Sequence, residues 1–185
     1  MSAVTDLPIA ELVPAACAKI PDFPKPGILF YDVTTLFADP QAFRRCVDEL
    51  ADRFAGQFDI VAGVEARGFL IAAAIAYKAG TGVMTVRKAG KLPRDTYTKD
   101  YELEYGSAAI EIHKDDIPAG TRVLIVDDLL ATGGTLAAAV NLMHQASLTV
   151  AGVGAFLELD GLGGREAIGA DHRVESLAVV SEAHH

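Results

Sequence analysis

The stretch Val123-Leu-Ile-Val-Asp-Asp-Leu-Leu-Ala-Thr-Gly-Gly-Thr135 decides how this chain is read. Arg122–Val126 is near-continuously apolar, as expected of a strand buried on both faces. Two adjacent carboxylates, Asp127 and Asp128, stand at its end. Four residues later Thr132-Gly133-Gly134-Thr135 leads into a helix expected over Thr135–Ser147, rich in alanine and leucine. Glycine lets the backbone approach a ligand and adopt angles closed to other residues. The helix start offers unpaired N–H groups and the positive end of a dipole, and two hydroxyl residues bracket the glycines. Together these suit a phosphate monoester. The carboxylates repel such a group; they suit vicinal hydroxyls or a hydrated divalent cation. A ligand with a phosphate at one end and a diol at the other is a ribose 5-phosphate.

Outward from this stretch the chain alternates strands and helices. Strands are expected at Asp59–Val64, Gly82–Arg87, Val150–Leu157 and Val174–Val180, and helices at Gly68–Lys78 and, briefly, Arg165–Ile168. Residues 96–113 alternate as a hairpin, with Tyr97–Tyr105 and Ala108–His113 flanking a turn at Gly106-Ser107. Toward the N-terminus a helix is expected over Ala3–Ala18, followed by an irregular segment, Ile20–Leu36, containing Pro21, Pro24, Pro26 and Gly27. Asp39-Pro40 reads as an N-cap and first helical residue. The helix it opens carries Phe43, Val47, Leu50, Ala51 and Phe54 at helical spacing, and Gly56 closes it. The expected fold is α/β: a mostly parallel central sheet with helices on both faces. In such sheets ligands gather beyond the carboxyl ends of the strands.

At 185 residues with no repeat or long linker, a single domain spanning 1–185 is expected. The apolar fraction of 51% excludes a disordered chain. A net charge of −9 argues against nucleic acid and anionic membranes as partners. No basic-then-apolar leader is visible at the N-terminus. The uncharged stretch Leu129–Leu157 is interrupted by Gly133, Gly134, Asn141, His144 and Gln145, so it reads as buried protein rather than a membrane span. Cys17 and Cys46 lie far apart and read as reduced, buried thiols of a cytoplasmic protein. Against the acidic background, Arg87, Lys88, Lys91, Arg94 and Lys99 crowd thirteen positions holding Asp95 as their one acid. Such a cluster suits a highly charged anion.

The 123–135 segment resembles the 5-phosphoribosyl 1-pyrophosphate signature of the type I phosphoribosyltransferases. Four further stretches resemble the branch acting on adenine: Ile20–Asp32, Gly63-Val-Glu-Ala-Arg-Gly-Phe69, Val86-Arg-Lys-Ala-Gly-Lys-Leu-Pro93 and Tyr101-Glu-Leu-Glu-Tyr-Gly106. The similarity runs from about Pro21 to about Arg165. It implies an N-terminal hood over about 1–36 and a flexible hairpin over about 95–113 closing on the site.

The same resemblance implies the roles of individual residues. Asp127 and Asp128 hold the ribose hydroxyls, where their charge also suits a developing ribose cation. Ala131, Thr132, Gly133, Gly134 and Thr135 cradle the 5-phosphate. Arg67, Arg87, Lys88 and Lys91 meet the pyrophosphate, Arg87 across the interface of a homodimer, and a cis peptide not involving proline falls at Glu65–Ala66. Phe30 stacks on the base opposite Leu129, while the backbone of Leu29 and Tyr31 reads its edge. Glu102 and Glu104 alternate in the hairpin and are indistinguishable by pattern; the resemblance selects Glu104 for acid–base work at N7, with Tyr105 beside it.

The implied reaction is Mg²⁺-dependent transfer of 5-phosphoribosyl from 5-phosphoribosyl 1-pyrophosphate to adenine, giving AMP and pyrophosphate. Substrate and water supply most ligands of the ion, so no protein metal site is expected. Two alternatives stand beside this reading. A hypoxanthine–guanine or xanthine enzyme usually carries a lysine in its last strands, and Val174–Val180 has none. A ligand-sensing regulator of transcription or RNA would need a nucleic-acid-binding element, and no helix-turn-helix precedes the domain.

Overall fold

The structure, a computed structural model, describes residues 6–103 and 106–181, and of residues 102, 103 and 106 the backbone alone. The elements in order are α1 (Ile9–Ala16), β1 (Ala18–Pro21), β2 (Leu29–Asp32), α2 (Thr34–Ala38), α3 (Pro40–Arg53), β3 (Ile60–Val64), α4 (Gly68–Ala79) and β4 (Gly82–Lys88). They continue with β5 (Thr96–Leu103), β6 (Gly106–His113), β7 (Arg122–Leu130), α5 (Gly134–Gln145), β8 (Thr149–Asp160), α6 (Gly164–Ile168) and β9 (Val174–Ser181). Seven strands form one sheet in the order β5-β6-β4-β3-β7-β8-β9. The five strands from β4 to β9 run parallel, and the β5–β6 hairpin adds an antiparallel edge.

Strand alternation divides the core between the two faces of this sheet. Val61, Leu124 and Val126 join one cluster with Leu12, Leu36, Leu50, Phe54, Ile71 and Ile75, drawn from α1 to α4. Ala62, Val64, Val123 and Ile125 join the other with Leu136, Ala139, Leu142, Met143 and Ile168, drawn from α5 and α6. The expectation of helices on both faces of a mostly parallel sheet therefore holds.

Asp39 caps α3 as its sequence implies, accepting from the N–H groups of Gln41 at 2.9 Å and Ala42 at 3.0 Å. Losing such a cap costs about 1 kcal/mol. Asp39→Ala is expected to lower the melting temperature by about 2–4 °C for a chain of this size, leaving the catalytic constants unchanged. Calorimetry and initial rates on one preparation check both halves of that statement.

Four local expectations are corrected. The segment after α1 is not irregular: β1 and β2 pair as an antiparallel ribbon, Ala18↔Asp32 to Pro21↔Leu29. Its breakers concentrate in the connection, where Phe23–Pro24 is cis, Gly27 has φ +85° and Asp22 accepts from the Gly27 N–H at 2.8 Å. The first helix ends at Ala16, because Ala18 joins this ribbon. Leu12 and Val13 are fully buried, so α1 belongs to the core and the ribbon stands apart from the main sheet. Strand β7 does not stop before the two acids but runs through them to Leu130, which pairs with Glu158. The ladder with β8 keeps it extended, with Asp127 opposite Ala155 and Leu129 opposite Leu157. Finally, Leu103↔Gly106 and Glu102↔Ser107 pair, so Gly106 and Ser107 are strand residues and not the turn.

Candidate active site

The site gathers at the carboxyl ends of β3, β4 and β7. After β3 the chain turns through a cis Glu65–Ala66 bond, where the resemblance located it, and enters α4 at Gly68. A β-carbon at Gly68 would lie 2.7 Å from the Val126 carbonyl oxygen and 3.2 Å from Asp127 Oδ1. Glycine thus allows α4 to press directly on the acidic end of β7. The contact delivers Arg67, whose Nε donates to Asp128 Oδ2 at 2.6 Å.

Asp128 is 4% exposed, whereas the Arg67 side chain keeps 44% of its surface free for a further partner. Burial, and behind it the charge of Asp128, push the Asp127 carboxyl well above the ordinary carboxylate range. Its Oδ1 accepts from the Asp128 N–H at 2.9 Å. Arg67 also feels Asp127 and Asp32, and the Asp128 pair outweighs its partial desolvation to keep its affinity for a proton raised.

Beyond the acids, Asp127, Leu129, Ala131, Thr132, Gly133, Gly134, Thr135 and Leu136 line a concavity of about 100 Å³. Gly133 is the N-cap of α5 with φ +78°, and no side chain caps the helix. The first N–H groups of α5 are left for a ligand. The loop rests on α6: a β-carbon at Gly133 would lie 2.9 Å from Gly164 Cα, and one at Gly164 would collide with the Ala131 carbonyl oxygen. Gly164 is part of this cradle although no motif in the sequence marked it. A Gly-Gly pair is visible at 163–164, but nothing local names its partner.

The cations lie on the opposite side of the β3–α4 turn. Arg87 Nε approaches Glu65 Oε2 at 3.4 Å, and the Lys88 main-chain N–H donates to the same oxygen at 2.9 Å. The Lys88 hydrogen bond, aided by Arg87, holds the Glu65 carboxyl below its usual range against its partial burial. Lys88 and Lys91 are exposed. Arg94 is paired with Asp116, which accepts from both its terminal nitrogens at 2.6 and 2.8 Å.

The ribbon leans toward the same place. Asp32, at the end of β2, lies close enough to influence Arg67 and holds the start of α2 through Thr34, at 2.7 Å from the hydroxyl and 3.0 Å from the N–H. In a two-stranded ribbon alternate residues turn their main chain to the free edge. Leu29 and Tyr31 therefore share one edge and Phe30 presents the other. The Phe30 ring meets Phe23 edge-on at 5.1 Å between centroids, and both Tyr31 and Leu129 pack against the α1–α4 core. The expected Glu104 and Tyr105 lie outside the described residues.

Residues 32–176 match the model of the phosphoribosyl transferase domain. The chain is 62% identical over 169 residues to an adenine phosphoribosyltransferase of Renibacterium salmoninarum, covering 91% of this chain and 92% of the relative. It superimposes on the adenine phosphoribosyltransferase of Thermoanaerobacter pseudethanolicus with a TM-score of 0.87 at 44% identity, covering 92% and 99% of the two chains. The Saccharomyces cerevisiae enzyme, solved with an imino-altritol bisphosphate and adenine, gives 0.85 at 40% identity, covering 91% and 98%.

Proposed function

We propose a mechanism on the premise that this chain belongs to the phosphoribosyl transferase family, among its adenine phosphoribosyltransferases. Its reaction is a purine-salvage step: 5-phosphoribosyl passes from 5-phosphoribosyl 1-pyrophosphate to adenine, and AMP and pyrophosphate leave. The observation that carries the site reading is the continuity of β7, cradle and α5. Adjacent acids and an uncapped helix start lie within eight residues of each other, one suited to a diol and the other to a phosphate.

In this reading the α5 N-terminus and the Thr132 and Thr135 hydroxyls hold the 5-phosphate. Asp127 and Asp128 hold the ribose hydroxyls. Adenine stacks on Phe30 opposite Leu129, its edge read by the main chain of Leu29 and Tyr31. As the bond from C1 of the ribose to pyrophosphate oxygen breaks, its electron pair leaves with pyrophosphate. Arg67, Arg87, Lys88 and Lys91 neutralise that charge. The nucleophile is N9 of adenine, Glu104 moves a proton at N7, and Tyr105 packs beside the substrate. Asp127 and Asp128 lie where positive charge grows on the ribose.

An all-oxygen donor set of carboxylates, diol and pyrophosphate fits Mg²⁺. Substrate and water would complete the shell. The bound ion would supply further neutralisation of pyrophosphate. Asp128 would have to share its carboxylate between Arg67 and the diol, and pyrophosphate offers Arg67 an alternative partner.

We further place the protein in the cytoplasm as a homodimer of single-domain chains. The ribbon and the hairpin flank the site, and Arg87 is offered to the neighbouring subunit. No helix among the described residues is long and apolar enough to cross a membrane.

The test is a radiolabelled-adenine assay on the purified protein with donor and Mg²⁺, with hypoxanthine, guanine and xanthine as competitors. Labelled AMP is expected, with little competition from the oxopurines. No AMP, or preferential consumption of an oxopurine, would refute the reading.

A further inference from the structure

We propose that Glu111 is a positioning residue for pyrophosphate, a buried carboxylate that fixes the main chain of the Gly90–Leu92 loop and with it the aim of Lys91. The proposal rests on the reading of this loop as the pyrophosphate site.

Glu111 sits at the centre of three antiparallel strands, opposite Arg87 of β4 on one side and Thr98 of β5 on the other. Its neighbours Ile110 and Ile112 are buried in the α5-side core. By alternation the Glu111 side chain leaves the opposite face of the sheet, and there the 89–92 segment folds back over it. The segment is tied down at its start by the Ala89 N–H on the Ala109 carbonyl at 2.9 Å, and it turns at Gly90 with φ +81°.

The carboxylate is 4% exposed. Its Oε1 accepts from the N–H groups of Lys91 and Leu92, both at 2.8 Å, and Thr96 Oγ1 lies 3.4 Å from Oε2. The Gly90 N–H contributes as well. Burial alone would raise this carboxyl, yet the three N–H groups hold it below the usual range. Burying a carboxylate is costly unless its acceptor sites are filled. Here three consecutive main-chain N–H groups fill them, so the negative charge and the loop conformation specify each other.

The consequence is geometric. Lys91 is a long, exposed side chain on this loop, so its aim is set by where its main chain is held. Glu111 supplies that anchorage without touching the ligand, as an outer ligand orients an inner one at a metal centre.

Pyrophosphorolysis of AMP separates this role from general support of the fold, because it gives a KM for pyrophosphate and a KM for AMP in one experiment. Glu111→Ala strands the N–H groups. Glu111→Asp is one methylene too short to reach them. Both are expected to raise the KM for pyrophosphate by about ten-fold or more while the KM for AMP stays within two-fold. Glu111→Gln keeps an oxygen in the accepting position and is expected to recover most of the loss.

An unchanged KM for pyrophosphate in folded Glu111→Asp, or a parallel rise for AMP, would overturn the proposal. Lys88→Ala and Lys91→Ala in the same assay distinguish its failure from that of its premise. If they raise the KM for pyrophosphate and the Glu111 variants do not, the positioning role fails alone. If they too leave it unchanged, the assignment of the loop fails.

Discussion

Asp127→Asn is expected to lower kcat/KM for the phosphoribosyl donor by about 10²–10³-fold, yet to leave a protein more stable than the wild type at neutral pH. The first half follows from the proposed diol contact. A charge-assisted hydrogen bond is replaced by a neutral one, and a negative charge is removed from where positive charge develops, effects of this order in other preorganised sites. The second half follows from burial. Desolvation and the neighbouring Asp128 hold the Asp127 carboxyl well above its ordinary range. The unfolded chain releases that proton near pH 4, so above this pH the folded state binds more protons than the unfolded one. Stability therefore falls as pH rises from the ordinary carboxylate value through the raised folded value.

Asparagine removes this penalty and keeps an oxygen that accepts from the Asp128 N–H, now at 2.9 Å. Melting curves from pH 4 to pH 8 should show the variant level with the wild type at the acidic end and ahead of it at the alkaline end. A stability difference independent of pH, or activity within five-fold of wild type, would contradict the account.

Gly133→Val should abolish most of the grip on the 5-phosphate. Two costs coincide at this position. The left-handed φ of +78° strains a β-branched residue by about 1–3 kcal/mol. The new side chain would also enter the backbone of Gly164, whose Cα and carbonyl carbon lie 2.9 and 3.0 Å from the added carbon. Either the cradle or α6 must move. The KM for AMP is expected to rise by about 10²-fold, because a displacement of order 1 Å in a binding loop has effects of that size. A loss of about 2–4 kcal/mol of stability should accompany it.

Pyrophosphate binding should change little, since its cations hang from β4 and the loop after it. Titration calorimetry with AMP and with pyrophosphate separates the two. Gly133→Ala carries a smaller side chain and is expected to fall between wild type and valine. Wild-type affinity of Gly133→Val for AMP would remove the phosphate from this loop.

Much of the architecture was readable because its signals are local. Strand β3, helices α3 to α5 and the cap at Asp39 each declare themselves within a few residues. The errors arose where long-range pairing overrode a local cue. Pro24, Pro26 and Gly27 suggest an irregular segment over Ile20–Leu36, but they are confined to one connection, and the residues on either side pair as β1 and β2. The acids read as the end of a strand, but β8 continues beside them and carries β7 to Leu130. Within the basic cluster, the partner of Arg94 is Asp116, twenty-two residues away, a pairing that no local spacing marks.

What this sequence determined by itself is chemical: an anion cradle and a pair of acids within thirteen residues, a run of cations against an acidic background, and the alternation that makes a parallel sheet. Those depend on neighbours in the chain, and local spacing records them. What only the tertiary structure decided is support. Arg67 on Asp128, Glu65 beneath Arg87, Glu111 beneath the Gly90–Leu92 loop and Gly164 behind Gly133 join residues 19 to 61 positions apart. A buried carboxylate or a close backbone contact acquires its meaning from what lies opposite it. That partner is chosen when the sheet brings distant strand ends together, and no local pattern encodes it.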